Sequence, residues 1–104
     1  MMTKNNTLSR YIHPVFSFLK KIPKGKAVTY KIVAKHCGIK NPRNVGWILQ
    51  QNTEPEKTPC YKVVLSSGKL SKGYKFGGME KQKKLLLADG VKFNKNGKIR
   101  SDTF

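Results

Sequence analysis

Acidic residues are scarce in this chain. Its 104 residues include 5 Asp and Glu against 22 Lys and Arg, which gives a formal net charge of +17 at pH 7. Such a surface attracts polyanions, and lysine or arginine contacts to phosphates release counterions from nucleic acid. The alternative is that the excess lysine only solvates a small protein, but surfaces of that kind mix both signs. The charge balance therefore favours nucleic acid as the partner.

Cysteine is also rare, and the sequence has no long apolar run. Cys37 and Cys60 form no C-x-x-C motif, and their spacing to His13 and His36 is not that of a zinc site, so we expect no metal. A disulfide between the two cysteines stays open at this point. No segment has the apolar stretch of a secretory signal or of a membrane span. We therefore expect a soluble protein of the reducing cytoplasm, or of the nucleus in a eukaryote, without a membrane partner.

The length of the chain allows one modest hydrophobic core and not two. We expect one folded domain over residues 9–93, preceded by a disordered polar segment, 1–8, and followed by a basic hairpin or tail, 94–104. The sequence has no internal repeat and no low-complexity tract. We expect the protein to be a monomer.

The first half of the chain has helical spacing. The segment "HPVFSFLKKIP" predicts a short amphipathic helix. The segment "YKIVAKHC" predicts a second helix, which Thr29 caps and Gly38 ends, with Ile32 and Val33 facing inward. Asn41 and the proline after it predict the start of a third helix, "RNVGWILQQN". Two short helices joined by a glycine-containing turn are typical of a helix-turn-helix.

The second half mixes strands, turns and one helix. "YKVVL" predicts a strand, "SSGK" a turn, and "LSKGYKFGG" an irregular loop. "MEKQKKLLLAD" predicts a helix with Met79, Leu86 and either Gln82 or Lys83 on adjoining turns. "VKFNKNGKIR" predicts a hairpin closed by its Asn-Gly pair. The fold class we expect is mainly α with short β elements, as a single winged-helix-like domain that contains the helix-turn-helix.

The order of these motifs points to a family. The succession "IPKGKAVTY", "NPRNVGWILQQN", "TPCYKVV", "GKLSKGYKFGG" and "KLLLADGV" resembles the C-terminal, DNA-binding domain of the O6-alkylguanine-DNA alkyltransferases and of the alkyltransferase-like proteins. The resemblance covers residues 13–91, with nearly the spacings of the family.

The resemblance implies two residues for base flipping. In that family an arginine on the second helix of the motif fills the gap in the base stack, and a tyrosine on the first helix pushes the target nucleotide outward. The matching residues are Arg43 and Tyr30. Because extruding a base breaks its stacking, a planar cation that replaces the lost stack has a physical reason to be there. Outside this resemblance, Arg43 would more often be a phosphate contact and Tyr30 a helix-packing aromatic.

Three further residues of this helix concern DNA docking. Gly46 matches the small residue at which the helix comes close to the groove. Asn44 and Trp47 stand where the family usually has small residues. We expect Asn44 to contact DNA and Trp47 to pack in the core, with a groove-facing ring as the alternative for Trp47.

The resemblance also implies a reactive thiol at Cys60. The usual "PCHRV" of the family places a histidine after the cysteine, backed by a carboxylate from the last helix and joined by an asparagine eight positions before the cysteine. This chain has Asn52 at that spacing, Asp89 for the carboxylate, Lys62 for the arginine and Tyr61 in place of the histidine. Tyrosine is a poor proton acceptor at neutral pH, although neighbouring lysines would favour the thiolate. The alternative for Cys60 is a buried, inert thiol.

The family's pocket for the flipped base is lined by a tyrosine that Tyr74 in "KGY" matches, and we place Pro59 in the same pocket. Two residues separate Tyr74 from the glycine pair, where the family usually has one small residue. The pocket lid is therefore expected to be one residue longer.

The function implied by the resemblance is DNA repair. We expect the domain to bind duplex DNA carrying O6-alkylguanine through the minor groove, to flip the base, and to transfer the alkyl group to Cys60 once per molecule, without metal or organic cofactor. The first alternative is a non-catalytic lesion sensor that recruits other factors, such as nucleotide-excision-repair proteins. The second is a general basic DNA- or RNA-binding module.

Overall fold

The computed structural model describes residues 9–70 and 74–99 of the chain. The expected disorder of residues 1–8 and the end of the predicted tail, 100–104, lie outside the described residues, as does the middle of the "LSKGYKFGG" loop. The elements follow in the order 3-10 turn Ser9–Tyr11, α1 Ile12–Lys20, β1 Val28–Thr29, α2 Tyr30–Cys37, α3 Arg43–Leu49, 3-10 turn Cys60–Lys62, β2 Val63–Val64 and α4 Gly78–Asp89. The predicted fold class, mainly helical with short strands, is confirmed.

Local signals begin and end α2 where the sequence predicted. The Thr29 hydroxyl accepts a hydrogen bond from the Ile32 N–H at 3.0 Å, and Gly38 takes a left-handed conformation with φ of 75°. Val33 is buried as expected, but Ile32 is 38% exposed. The prediction for Ile32 was wrong because α2 turns Val33 and Ala34 toward the core instead.

The helix-turn-helix is completed by α3. The side-chain oxygen of Asn41 accepts a hydrogen bond from the Arg43 N–H at 3.0 Å, so this residue starts the helix as predicted. Val45, Ile48 and Leu49 are the buried residues of α3 and fix which face is turned inward. The opposite face, which begins with Arg43, is left at the surface.

The two strands form a small parallel sheet, with Val28 opposite Val63 and Thr29 opposite Val64. The predicted strand "YKVVL" is shorter than expected, because its first residues form the 3-10 turn Cys60–Lys62 and only Val63–Val64 pair. That turn closes with a hydrogen bond from the Lys62 N–H to the Pro59 carbonyl at 3.1 Å. The thiol of Cys60 is therefore presented by a turn at the start of β2.

The core consists of two clusters of buried side chains. The first joins the helix-turn-helix, α1 and Cys60, and includes Val15, Leu19, Val33, Val45, Ile48 and Val63. The second lies under α4 and consists of Ala27, Val64, Leu70, Leu86, Val91 and Ile99. In α4, Gln82 and Leu86 are buried, but Met79 is 42% exposed. Burial in α4 therefore begins at Gln82, one turn after Met79.

The described part of the C-terminal segment forms a hairpin. Phe93 and Ile99 face each other in an antiparallel bridge, and the Asn94 N–H donates to the Lys98 carbonyl at 2.7 Å. Ile99 is buried, and its N–H donates to the Gly68 carbonyl at 2.9 Å. The hairpin is thereby attached to the turn that follows β2.

Among residues 9–70 and 74–99, the structure contains no helix with the length and apolar character that a membrane span requires.

Candidate functional site

A cleft of about 770 Å³ opens between the helix-turn-helix and the turn that carries Cys60. Five of the residues predicted for the functional site line it, namely Tyr30, Arg43, Gly46, Cys60 and Tyr74. They come from α2, α3, the 3-10 turn and the loop before α4, so the fold brings together positions that are distant in the sequence. The wall also includes Leu49, Val63, Ser66, Ser67, Lys75 and Gln82.

The helix-turn-helix contributes the charged rim of the cleft. Tyr30 is half-buried at the start of α2, and Arg43 is exposed at the start of α3. Trp47 is half-buried, packs against the first core cluster as expected, and also lines the cleft. Asn44 is half-buried and is not among the residues that line the cleft. The rim thus has one guanidinium and two aromatic rings close to the opening.

Gly46 leaves open space on this rim. A Cβ at this position would meet nothing within 4 Å in the described structure, and the backbone there does not need a positive φ. The fold itself therefore does not require glycine at this position. A molecule that comes close to the backbone here from outside the domain would require a residue without a side chain.

The thiol of Cys60 lies at the inner end of the cleft, where the residue is 5% exposed. Its sulfur accepts a hydrogen bond from Asn52 Nδ2 at 3.2 Å, and the same amide donates to the Thr58 carbonyl at 2.9 Å. The expected partnership of Asn52 with Cys60 is therefore present in the geometry. Asn52 is itself fixed, because its Oδ1 accepts from the Glu54 N–H at 3.0 Å.

Burial raises the pKa of the Cys60 thiol, and this effect outweighs the hydrogen bond from Asn52 and the charge of Lys75, which lower the pKa. The expected influence of lysine on the thiol is therefore present, but it is smaller than the effect of burial. Among the described residues, Lys75 is the lysine that contributes such an effect, and desolvation of the sulfur is larger than the attraction.

Tyr61 and Asp89 lie on the other side of the turn. Burial raises the pKa of Tyr61, and the charge of Asp89 and a hydrogen bond to its carboxylate raise it further. Asp89 Oδ2 also pairs with Lys62 Nζ at 3.0 Å and accepts from the Gly25 N–H at 2.9 Å. The structure thus brings Asp89 to Tyr61 and Lys62, and Tyr61 is not among the residues that line the cleft.

A second cleft, of about 570 Å³, adjoins the first. Pro59 and Tyr61 line this cleft, together with Phe76 and Tyr74, and Tyr74 lines both clefts. Burial raises the pKa of Tyr74 to about 12, with smaller effects from Cys60 and Tyr61, so its hydroxyl stays a hydrogen-bond donor at neutral pH. Tyr74, which was predicted to line the lesion pocket, lines the cleft beside Cys60. Pro59, predicted for the same pocket, is not among the residues that line that cleft and lines the second cleft instead.

Lys75 and Gln82 also line the cleft and were not predicted as site residues. Lys75 donates from Nζ to the Gln50 carbonyl at 2.7 Å, which ties the loop before α4 to the end of α3. No sequence signal identified it, because it falls where the chain departs from the family's loop. Gln82 lines the cleft from α4, and its helical spacing with the buried Leu86 was the signal that could have identified it.

The described residues contain no group of three His, Cys, Asp or Glu side chains arranged to hold a metal ion. Cys37 and Cys60 are both free thiols, so the disulfide left open by the sequence is not formed.

Comparison with known proteins agrees with this arrangement. The family model described as "6-O-methylguanine DNA methyltransferase, DNA binding domain" matches residues 11–91. The chain is 44% identical over 74 residues to a methylated-DNA--protein-cysteine methyltransferase of Pyrobaculum aerophilum, covering 71% of this chain and 48% of that protein. It is 34% identical over 93 residues to a DNA base-flipping protein of Vibrio parahaemolyticus, covering 88% and 91%.

The fold matches as well. The crystal structure of S. pombe Atl1 in complex with damaged DNA containing O6-carboxymethylguanine superposes with a TM-score of 0.72 and 25% identity, covering 96% of this chain and 91% of that one. The chain spans 28% of the bifunctional methyltransferase/endonuclease of Picrophilus torridus that it also matches, and about half of the Pyrobaculum protein. The chain belongs to the family of 6-O-methylguanine DNA methyltransferase DNA-binding domains.

Proposed function

We propose that this domain binds duplex DNA as a monomer and extrudes an O6-alkylated guanine into the cleft beside Cys60. The observation that carries the proposal is that Arg43 and Cys60 line the same cleft of about 770 Å³. Pockets for small ligands in proteins have volumes of about 300–1,000 Å³, so one nucleobase fits such a space. The cleft opens beside the exposed rim of the helix-turn-helix, where a duplex would dock.

The rim residues support base extrusion. Turning a base out of the duplex costs a few kcal/mol of stacking and pairing, and least for a damaged pair. The Arg43 guanidinium is planar and exposed, so it can occupy the vacated position in the stack, while Tyr30 stands at the mouth of the cleft. Gly46 leaves room for the backbone of α3 to approach the minor groove. The net charge of +17 favours contacts between the domain and the phosphates of the duplex.

A second candidate function is transfer of the alkyl group to Cys60. In this step the Cys60 thiolate attacks the alkyl carbon, the bond from that carbon to O6 breaks, and the displaced guanine takes up the proton that the thiol has lost. The hydrogen bond from Asn52 to the sulfur favours this reaction. The raised pKa of Cys60 opposes it, because only the thiolate is nucleophilic. The geometry therefore supports lesion binding more strongly than alkyl transfer, and we expect any transfer to be slow.

The two functions have different consequences for repair. A domain that transfers the alkyl group restores guanine by itself. A domain that only holds the flipped base acts by recruiting other repair factors, such as nucleotide-excision-repair proteins.

Binding and transfer are tested with two measurements. The affinity for an O6-methylguanine duplex is compared with that for the undamaged duplex at the same salt concentration, since phosphate attraction alone gives equal values. The peptide that contains Cys60 is then weighed after long incubation with the lesion duplex, with the Cys37 peptide as the internal control. We expect preferential lesion binding, and equal affinities would refute the proposal. An added methyl group on Cys60 alone would establish transfer, and its absence would leave the sensor function.

A further inference from the structure

The hairpin that follows α4 has no role in the function proposed above. Phe93 and Ile99 face each other in its antiparallel bridge. The side-chain oxygen of Asn94 accepts hydrogen bonds from the N–H groups of Asn96 at 2.9 Å and of Lys98 at 3.1 Å. The turn of the hairpin is therefore held in one conformation by its own residues.

The hairpin is attached to one wall of the cleft beside the thiol. Ile99 is 4% exposed, and its N–H donates to the Gly68 carbonyl at 2.9 Å. A Cβ on Gly68 would lie 3.0 Å from the Ile99 carbonyl oxygen, so the two backbones are in close contact. Gly68 ends the turn after β2, and the exposed residues of that turn line the cleft, namely Leu65, Ser66 and Ser67. The hairpin thus continues the wall that this turn forms, on the side of the cleft away from the helix-turn-helix.

The hairpin also runs back along α4 toward the cleft. It leaves the end of the helix at Val91, whose N–H donates to the Leu86 carbonyl at 3.0 Å. Phe93 then lies against Lys83, whose Nζ is 5.7 Å from the centre of the ring. Lys83 follows Gln82, which lines the cleft. The tip of the hairpin therefore points away from the end of α4 and toward the part of this helix that borders the cleft.

The outer face of the hairpin carries three lysines. Because Phe93 and Ile99 are paired and pack on the second core cluster, Lys92 and Lys98 fall on the opposite face, and Lys95 lies in the turn at the tip. None of these three ammonium groups pairs with a carboxylate among the described residues. Their charges are available to an anion from outside the domain.

Little negative charge lies on this side of the molecule. From the turn that carries the thiol to the end of the hairpin, the sequence has two acidic residues, Glu80 and Asp89. The carboxylate of Asp89 is already in an ion pair with Lys62. A polyanion that lies over the mouth of the cleft would therefore meet attraction from the hairpin and little repulsion.

Resting on the docking proposed above, we propose that the outer face of the hairpin is a second DNA-contact surface. Lys92, Lys95 and Lys98 bind phosphates of the duplex to one side of the extruded nucleotide, and the helix-turn-helix binds on the other. Phosphate contacts position a duplex and carry no sequence information, so the hairpin adds affinity without adding lesion preference. An acidic protein segment would match the charge, but the attachment of the hairpin to the cleft wall favours the duplex.

The salt dependence of binding tests this surface. Lys92 and Lys95, which are both exposed, are replaced together by glutamine, and the affinity for one undamaged duplex is measured between about 50 and 200 mM salt. Each phosphate contact contributes about 0.9 to the slope of log K against log salt. Loss of two contacts should lower the magnitude of the slope by about 1.8. Over this range the affinity of the variant should therefore fall about tenfold less than that of the wild type.

A matched control removes the same charge elsewhere. Lys21 and Lys24 are exposed, line neither cleft, and flank the turn whose Gly25 N–H donates to Asp89 at the far end of α4. Lys21→Gln combined with Lys24→Gln should leave the slope near that of the wild type. Equal changes of slope in the two double variants would show that the hairpin acts only through the net charge, and would overturn the proposal.

The outcomes separate this inference from the proposed function. If the wild-type protein does not prefer the O6-methylguanine duplex to the undamaged one, the proposed function fails, while the salt slope on undamaged DNA still tests the hairpin. If the wild type prefers the lesion but the hairpin variant keeps the wild-type slope, the hairpin surface is refuted. We expect the variant to bind both duplexes more weakly and to keep the wild-type ratio between them.

A measurement without mutation gives an independent test. The wild-type protein is acetylated by an amine-reactive reagent with and without saturating duplex, and the acetylation of each lysine is measured by mass spectrometry. Lys92 and Lys95 should react more slowly with the duplex present, whereas Lys21 and Lys24 should react at unchanged rates. Unchanged rates at Lys92 and Lys95 would also overturn the assignment.

Discussion

The buried ion pair between Lys62 and Asp89 is the contact whose removal should affect the fold most clearly. Their side chains are 5% and 14% exposed, and Lys62 Nζ lies 3.0 Å from Asp89 Oδ2. The ammonium also donates to the carbonyls of Pro23 at 2.9 Å and Ile22 at 3.3 Å, and the carboxylate accepts from the Gly25 N–H at 2.9 Å. The pair therefore ties the turn after α1, the turn that carries the thiol, and the end of α4 to one another.

The loss in the free energy of unfolding depends on the unpaired charge that each substitution leaves buried. Removing one partner of a buried pair leaves the other charge uncompensated and costs about 3–5 kcal/mol. Asp89 keeps some exposure, so we expect about 3 kcal/mol for Asp89→Leu and for Lys62→Met. A domain of this kind has a total stability of about 5–15 kcal/mol, so either change is a large part of it. The double variant removes both charges and should be more stable than either single variant.

Equilibrium unfolding in urea measures these differences. With a slope of about 1–3 kcal/mol per molar urea, each single change should lower the midpoint by about 1–3 M. Lys57 and Glu54 provide a matched control, because this pair lies at 3.5 Å with side chains 71% and 61% exposed. Glu54→Gln should therefore change the midpoint little. Single variants as stable as this control, or a double variant whose loss equals the sum of the two, would refute the reasoning.

Three other changes test the site and the fold. Arg43→Ala should weaken binding to the O6-methylguanine duplex more than binding to the undamaged duplex. As a control, Lys35→Ala, an exposed change outside the cleft, should weaken binding to both duplexes alike. Equal losses for Arg43→Ala would show that Arg43 is only a phosphate contact. Thr29→Ala removes the cap of α2 and should cost about 1 kcal/mol in thermal or urea unfolding, and an unchanged stability would argue against the cap. Because burial raises the pKa of Cys60, the thiol is neutral at pH 7. The rate of any transfer should therefore rise about tenfold per pH unit between pH 7 and 9, as the thiolate fraction rises. A rate that levels off below pH 8.5 would contradict this.

The parts of the fold that depend on local chemistry could be predicted from the sequence. Thr29 and Gly38 fix the ends of α2, and Asn41 starts α3, because each acts on backbone atoms within a few residues. The prediction for Ile32 failed, since periodicity shows that a helix has an inner face but not which neighbouring elements cover it. Burial of that side chain is decided by tertiary packing.

The candidate site could likewise be predicted only in part from the sequence. The order of motifs predicted that Arg43, Tyr30 and Cys60 share one cleft, and the geometry agrees. It did not predict that Asp89 would pair with Lys62, because that contact joins residues 27 positions apart through the packing of α4. The hydrogen bonds from Gln82 Nε2 to the carbonyls of Tyr61 and Val63 could not be predicted either, since they depend on the exact place of two backbone carbonyls.

The environment of Cys60 decides whether a domain of this kind only binds a lesion or also removes its alkyl group. A raised pKa lowers the thiolate fraction at pH 7 tenfold per unit, but a more basic thiolate is intrinsically more nucleophilic, by about threefold per unit if the dependence known for thiol exchange applies. The net loss is then about threefold per unit, which would slow any transfer to Cys60 without abolishing it. Tyr61 cannot compensate as a base, because Asp89 engages its hydroxyl and raises its pKa. Since a thioether does not revert, even slow transfer accumulates, and the outcome depends on whether the lesion stays bound for longer than the thiol needs to react.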